Sequence, residues 1–289
     1  MKLLEIIEKK KIFENINKTK TKKNIKILGN VVLNHLIPYI EYQLNVCNHN
    51  VNCQYENYDN IIQDTFNLDK QDEIVIIFWE LINIIETSIK KKINIDVIDL
   101  KEIQKNIEDQ LKLVFSNVNQ NTLVILNYFN LDYLNIGKNI PDEYKILCSN
   151  LNNFLNLNAP NNFKLIDTSI ILKKNNISKC VNLDLYKKTK ILYTQLFYYN
   201  YSLQINPIVL SKLGNFKKVL VLDCDNTLWK GIIGEDKEDE ILYSNKNEIG
   251  KIFFEIQTFI KELEKKGVLL CICSKNNYSD VIKFFSKDD

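Results

Sequence analysis

Arginine is absent from this chain, alanine occurs once, at Ala159, and only seven glycines are present. The positions they would fill are taken by Asn, Ile and Lys, a pattern of codon bias, so helix propensity weakens as a guide and hydrophobic period has to carry the reading. Histidine is scarce, with two residues, and the seven cysteines (Cys47, Cys53, Cys148, Cys180, Cys224, Cys271 and Cys273) lack paired metal-ligand spacing. Neither a structural zinc site nor a disulfide framework is indicated. Long apolar runs are missing too. The longest, Ile74 to Ile85, is interrupted by Glu80 and Asn83, too soon to span a bilayer. The stretch Met1 to Lys23 scatters Lys and Glu among Leu and Ile, unlike a secretory signal, so a cytoplasmic protein without a membrane partner is expected. A net charge of +2 leaves no electrostatic footprint for nucleic acid, the short basic run Lys18 to Lys23 notwithstanding.

What is there is globular. The 289 residues are 45% hydrophobic and 26% charged, enough chain for two ordinary domains. Short β-branched runs alternate with longer helical patterns, the mark of parallel strands joined by crossover helices, so the fold class is α/β with two three-layer units. Strands are predicted over Asn24 to Gly29, Val51 to Tyr55, Glu73 to Trp79, Thr122 to Tyr128 and Phe163 to Asp167. Helices are predicted near Ile95 to Phe115, Asp142 to Leu155 and Gln195 to Leu213, and around Val31 to Asn45, where Pro38 demands a kink or a late start. Asn175 to Tyr193 has weak period. The boundary falls at about residue 213, giving domains 1–213 and 214–289.

The second domain opens on Lys217 to Asp223, a nearly continuous apolar run that predicts a central strand buried on both faces. An amphipathic helix over Ile249 to Lys266 places Ile252, Ile256, Phe259, Ile260 and Leu263 on one side, and Val268 to Cys273 predicts the next buried strand, followed by a helix over Asn277 to Phe285.

The chemistry concentrates where the first of these strands ends, in Asp223-Cys224-Asp225-Asn226-Thr227-Leu228-Trp229. Open parallel sheets bind ligands at the carboxyl ends of their strands. Two carboxylates two residues apart there can converge on one phosphoryl group, one attacking or coordinating and the other moving a proton. Mg²⁺, hard and oxygen-seeking, would relieve their repulsion and bridge to phosphate. The neighbouring strand ends in Ser274-Lys275-Asn276-Asn277, a hydroxyl with the opening of a helix behind it, which suits phosphate oxygens. Taken singly, these acids could merely cap a turn and Ser274 a helix.

The motif Asp-x-Asp-x-Thr after an apolar strand resembles the first motif of the haloacid dehalogenase superfamily of phosphotransferases. The longer string from Leu222 through Leu228-Trp229-Lys230-Gly231-Ile232-Ile233-Gly234-Glu235-Asp236, with Cys273-Ser274-Lys275-Asn276-Asn277, is similar to its FkbH-like branch. More weakly, Ile27-Leu28-Gly29-Asn30 and Tyr55 to Asp64 resemble the SGNH-type hydrolase domain that commonly precedes it. The likeness covers nearly the whole chain. It implies an SGNH-like unit followed by a HAD-like one, and a Mg²⁺-dependent transfer of a glyceryl or similar acyl group from an acyl phosphate such as 1,3-bisphosphoglycerate to an acyl carrier protein, with phosphate release, in polyketide-type biosynthesis. A phosphomonoester phosphatase of the same superfamily is the enzymatic alternative. A catalytically silent scaffold or carrier-protein-binding module is the other.

Carried over residue by residue, the resemblance makes Asp223 the acid that binds Mg²⁺ and engages the acyl phosphate. Asp225 becomes the proton-transfer acid whose backbone carbonyl also meets the metal, and Thr227, Ser274, Lys275 and Asn276 become phosphate-site residues. Cys224 stands between the acids as either a thioester-forming acyl carrier or a small apolar filler; adjacent carboxylates oppose its activation. Lys230 departs from the family, which usually has a second Gly there. The superfamily's later motifs, a Lys and an acidic pair, would lie beyond Asp289, so the resemblance implies a C-terminally truncated HAD-like unit in which Lys275 could stand in for the missing charge. In the first domain Asn30 occupies the position of the SGNH serine, and Asp184-Leu185-Tyr186-Lys187 fills the region of the histidine. His35 and His49, early in the domain, read as helix-surface residues. Such a domain is expected not to hydrolyse esters.

Overall fold

The computed structural model describes residues 3–18, 20–69, 73–91, 100–135, 141–214, 217–237 and 240–286. Two compact units divide the chain, Met1–Gly214 and Asn215–Asp289.

In the first unit a helix, α1 (Leu3–Asn17), leads into β1 (Lys23–Gly29). Pro38 falls in the first turn of α2 (Ile37–Val46), where its missing N–H is harmless, and a 3₁₀ turn over Asn34–Leu36 precedes it. The helix therefore starts late, as the proline required. There follow β2 (Val51–Tyr58), α3 (Ile61–Phe66), β3 (Ile74–Phe78), α4 (Leu81–Lys91), α5 (Leu100–Asn117), β4 (Leu123–Asn127), α6 (Asp142–Asn158) and β5 (Phe163–Ile166). The part of the predicted helix from Ile95 to Asp99 lies outside the described residues. The five strands are all parallel, in the order β2-β1-β3-β4-β5. Every residue of β3 is buried, as a strand covered on both faces must be, and its unbroken Ile-Val-Ile-Ile-Phe reads accordingly.

Beyond β5 comes α7 (Ser169–Asn175), and the weakly periodic stretch Asn175 to Tyr193 resolves into α8 (Ile177–Cys180) and α9 (Leu183–Thr189), before the long α10 (Gln195–Lys212). Asn176 and Lys190, with φ of 67° and 62°, break the chain into these short pieces, and no sustained period survives such breaks. Right-handed crossovers put the helix after β1 on one face and those after β2, β3 and β4 on the other. The packing agrees: α2 meets α1 and α10, whereas α5 meets α3 and α6.

The second unit comprises β6 (Val219–Leu222), α11 (Glu248–Lys265), β7 (Leu269–Ile272) and α12 (Tyr278–Phe285), with β6 and β7 paired in parallel. Here the structure corrects the expected burial. Among the described residues this sheet has two strands, each of them an edge, so β6 is not central there. One face carries Val219, Val221 and Leu269, which are 51%, 58% and 66% exposed. The apolar stripe of α11 is likewise mostly exposed, with Ile260 buried but Ile252 and Phe259 not. An apolar run reports what a strand can bury, and burial follows only where a second layer covers it. The core of this unit is Cys224, Leu228, Trp229, Ile241, Ile260 and Val281.

Candidate active site

The carboxyl end of β6 is shaped by a tight turn. The N–H groups of Thr227 and Leu228 both donate to the carbonyl of Cys224, at 3.1 and 2.8 Å, and Asn226 takes the left-handed conformation that asparagine tolerates, φ 55°. Strand alternation persists into this turn: Asp223 points outward and is exposed, Cys224 points inward with no accessible surface, and Asp225 is half-buried. Among the described residues the Asp223 carboxylate has no hydrogen-bond or ion-pair partner. It is an acid left free at the end of a parallel strand.

Asp225 is the opposite. Its Oδ1 accepts from the indole Nε1–H of Trp229 at 3.0 Å, from the backbone N–H of Ile233 at 3.2 Å and from the carboxamide Nδ2 of Asn276 at 3.0 Å. The last of these joins the end of β7 to the end of β6, so the two motifs share one site. Ser274 Oγ accepts from the Asn276 N–H at 3.2 Å and its hydroxyl also meets the Cys224 thiol. Burial raises the Cys224 thiol above its ordinary value, with the carboxylates of Asp223 and Asp225 adding to the rise and the Ser274 hydroxyl partly opposing it. A sealed thiol of that kind is protonated and a poor nucleophile. Thr227 is half-buried in the turn. Lys275 is exposed and, among the described residues, has no ion pair with either acid.

The loop after Trp229 folds back over the turn. Gly231 N–H donates to Asn226 Oδ1 at 3.2 Å and Ile232 N–H to Asp236 Oδ2 at 2.7 Å, while Lys230 and Leu242 exchange backbone hydrogen bonds at 2.9 and 3.0 Å. Gly231 needs its identity: φ is 109°, and a Cβ would stand 3.2 Å from Asp236 Oδ2. Lys230, in contrast, keeps ordinary backbone as half of an antiparallel bridge, so a side chain is accommodated where the resembling family has glycine. Sequence reasoning assigned no role to Trp229 or Ile233; the indole sat in the quoted motif, four residues beyond Asp225, as the only signal.

Among the described residues no three His, Cys, Asp or Glu side chains group as a metal cage. The donors at the β6 end are carboxylate oxygens, a hard set that suits Mg²⁺, an ion ordinarily held by one or two carboxylates with waters and substrate phosphate completing its shell.

The first unit has its own polar centre where a hydrolase would place its nucleophile. Asn30, at the carboxyl end of β1, is fully buried, and its carboxamide donates to the Glu80 carbonyl at 2.9 Å while accepting the Glu80 N–H at 2.6 Å. The Glu80 carboxyl receives the hydroxyls of Tyr193 at 2.7 Å and Tyr133 at 3.3 Å, and burial pushes it up to about 7 against those two hydrogen bonds. Tyr186, in the stretch where a catalytic histidine would fall, is buried with its hydroxyl on Asn83 at 3.3 Å. His35 is exposed in the 3₁₀ turn, and His49 lies in the loop after α2. A cavity of about 450 Å³ at the ends of β4 and β5 is lined by Asn130, Asp132, Lys145 and Lys173 among others; its lysines pair with nearby acids, Lys145 with Asp142 and Lys173 with Asp132.

No protein-family model and no curated protein matches this chain. Among solved structures, the N-terminal part of a Bacteroides fragilis protein, containing a phosphatase domain and complexed with Mg, matches 96% of this chain and 77% of its own at 22% identity and a TM-score of 0.69. The G-D-S-L lipolytic protein of Veillonella parvula is 13% identical over 65% of this chain and 98% of its own, with a TM-score of 0.41. A salicylyl-acyltransferase from a tetracycline biosynthetic pathway is 10% identical over 68% of this chain and 58% of its own, with a TM-score of 0.39. The first likeness is one of fold, and it extends over both units.

Proposed function

We propose that the second unit carries a Mg²⁺-dependent phosphoryl-handling site of HAD type, with Asp223 as the acid that engages phosphorus and Asp225 as the proton-transfer acid. The observation that carries this reading is the contrast between the two carboxylates: Asp223 free and exposed at the strand end, Asp225 two residues on and held by N–H donors from both strand-end loops. Mg²⁺ complexed with the phosphatase-containing structural neighbour supports the choice of ion. When bound by the Asp223 carboxylate and the Asp225 backbone carbonyl, the ion would neutralise charge on the phosphoryl oxygens. Asp223 supplies the attacking or coordinating oxygen, Ser274 and the N–H groups at the start of α12 receive phosphate oxygens, and Asp225 delivers a proton to the departing oxygen. Thr227, Asn276 and Lys275 border that position.

The finer reading is transfer of a glyceryl or similar acyl group from an acyl phosphate to an acyl carrier protein. The carrier thiol attacks the acyl carbon, the carbon–oxygen bond to phosphate breaks, and the thiol proton leaves with the inorganic phosphate. The motif strings around Asp223 and Ser274 support it. The sealed Cys224 supports direct attack by the carrier thiol over relay through the protein. In the same reading the first unit, whose nucleophile position is Asn30, is a non-hydrolytic scaffold.

The test is phosphate release from p-nitrophenyl phosphate with Mg²⁺, comparing the protein with its Asp223→Asn variant. A loss of about 100-fold or more is expected on removing the engaging carboxylate; equal rates would sink the reading. Incubation with an acyl phosphate donor and a phosphopantetheinylated carrier separates the finer alternatives, because free acid without a thioester on the carrier leaves only the phosphatase.

A further inference from the structure

Three N–H donors converge on a single oxygen of Asp225, from the turn after β6, the loop that folds over it and the end of β7. A carboxylate oxygen has two lone pairs in its plane, so Oδ1 has no capacity left for a substrate proton. Oδ2 accepts no hydrogen bond among the described residues. Trp229, the donor nearest in sequence, cannot swing away: it is 1% exposed, and its ring lies 4.8 Å from that of Phe284 and 5.8 Å from that of Phe285. An indole offers one donor and no acceptor, so here it fixes orientation and does not itself exchange protons with the carboxylate.

Resting on the reading of Asp225 as the proton-transfer acid, we infer that Trp229 is a positioning residue which, with Asn276 and the Ile233 amide, reserves Oδ1 and leaves Oδ2 as the oxygen that carries the proton to and from substrate. The clamp also explains the spacing: the turn at Asn226 reverses the chain so that position 229 returns beside position 225, where the two form a bridge. Asn276 gives the same oxygen a second anchor from the neighbouring strand, so the acid keeps its aim only when both loops are in place.

The test has a spectroscopic arm and a kinetic arm. The chain contains two tryptophans, Trp79 and Trp229, so a ¹⁵N-labelled sample gives two indole signals, and Trp229→Phe assigns the second by its loss. Asp225→Ala should move the Trp229 indole proton upfield and leave that of Trp79 in place. Trp229→Phe, which keeps an aromatic ring against Phe284 and Phe285, should lower Mg²⁺-dependent turnover of p-nitrophenyl phosphate about tenfold with KM within about twofold, because proton transfer is misaimed while binding is retained. Asn276→Leu, near-isosteric and without the donor, should lower turnover by a similar factor. It also carries the kinetic arm if the core variant fails to fold. An indole signal unmoved by Asp225→Ala, or wild-type turnover in both donor variants, overturns the inference. If Asp223→Asn leaves turnover unchanged, the site reading fails and the catalytic role falls with it, while the indole shift still decides the clamp.

Discussion

Asn30 and Glu80 grip one another through two hydrogen bonds, the Asn30 carboxamide donating to the Glu80 carbonyl at 2.9 Å and accepting the Glu80 N–H at 2.6 Å. The place where an SGNH-like hydrolase would carry its nucleophile is thus a tie between the ends of β1 and β3. Restoring the hydroxyl should not restore the chemistry. Asn30→Ser is expected to show no hydrolysis of p-nitrophenyl acetate above the blank, since His49 lies just before β2, beside the amino end of β1 and so at the opposite end of that strand from position 30, and His35 is exposed. The same change should cost about 2–3 kcal/mol in urea unfolding, because the shorter side chain leaves the Glu80 N–H buried and unpaired. Ester turnover in that variant would revive the hydrolase reading.

Glu80 makes stability depend on pH in an unusual direction. Its folded value near 7 lies above the ordinary 4.5, so the folded chain holds a proton that the unfolded chain has released. For an acid raised in this way the stabilisation is complete below about pH 4.5 and is lost as the pH climbs through 7. Glu80→Gln removes the titration. The difference in unfolding free energy between wild type and variant should therefore shift by roughly 2–3 kcal/mol between pH 4.5 and 8, in favour of the variant at the alkaline end. A difference constant across that range would show that Glu80 is ionised throughout.

These two residues mark what was legible in the sequence. The strands of the first unit announce themselves because a parallel sheet covered on both faces leaves unbroken apolar runs, and β1, β3, β4 and β5 begin and end within about two residues of those runs. Glu80 and Asn83 were visible as interruptions of the run Ile74 to Ile85, but their hydrogen-bond partners, Tyr193, Tyr133, Tyr58 and Tyr186, come from distant parts of the chain that no local pattern brings together. In the second unit the acids and Asn276 were named from their places at strand ends. Trp229 was not, because an aromatic after a strand reads as core, and here it is core and hydrogen-bond donor at once.

Cys224 should behave as packing. With no accessible surface and a thiol raised by burial, it is expected to resist iodoacetamide in the folded protein, while the exposed Cys271 and Cys273 react. Cys224→Ala should keep the Asp223-dependent phosphate release and cost about 1 kcal/mol of stability for a small buried side chain lost. Peptide mapping after labelling, with and without denaturant, locates the modified sulfurs. A glyceryl adduct found on Cys224 by intact mass, and lost in the alanine variant, would return it to the mechanism.

On α11, period and burial part company, and substitution can separate them. Ile252, Phe259 and Ile260 all belong to the stripe that periodicity assigns to the core, yet Ile260 is 8% exposed while Phe259 is 63% and Ile252 58% exposed. Ile260→Ala deletes methyl and methylene groups from among the residues of the small core and should cost about 2–4 kcal/mol. Phe259→Ala and Ile252→Ala remove atoms already in contact with water, so each should stay within about 0.5 kcal/mol of wild type. Thermal unfolding of the full chain, followed at a probe in the second unit such as Trp229 fluorescence in a Trp79→Phe background, reads all three. Equal losses would mean that the whole stripe is covered in solution and that the helix packs as its period alone prescribes. A loss confined to Ile260 would mean that, of the three, this side chain is the one that packs α11 into the core it shares with Cys224, Leu228 and Trp229, next to the tie from Gln257 to the Leu228 carbonyl.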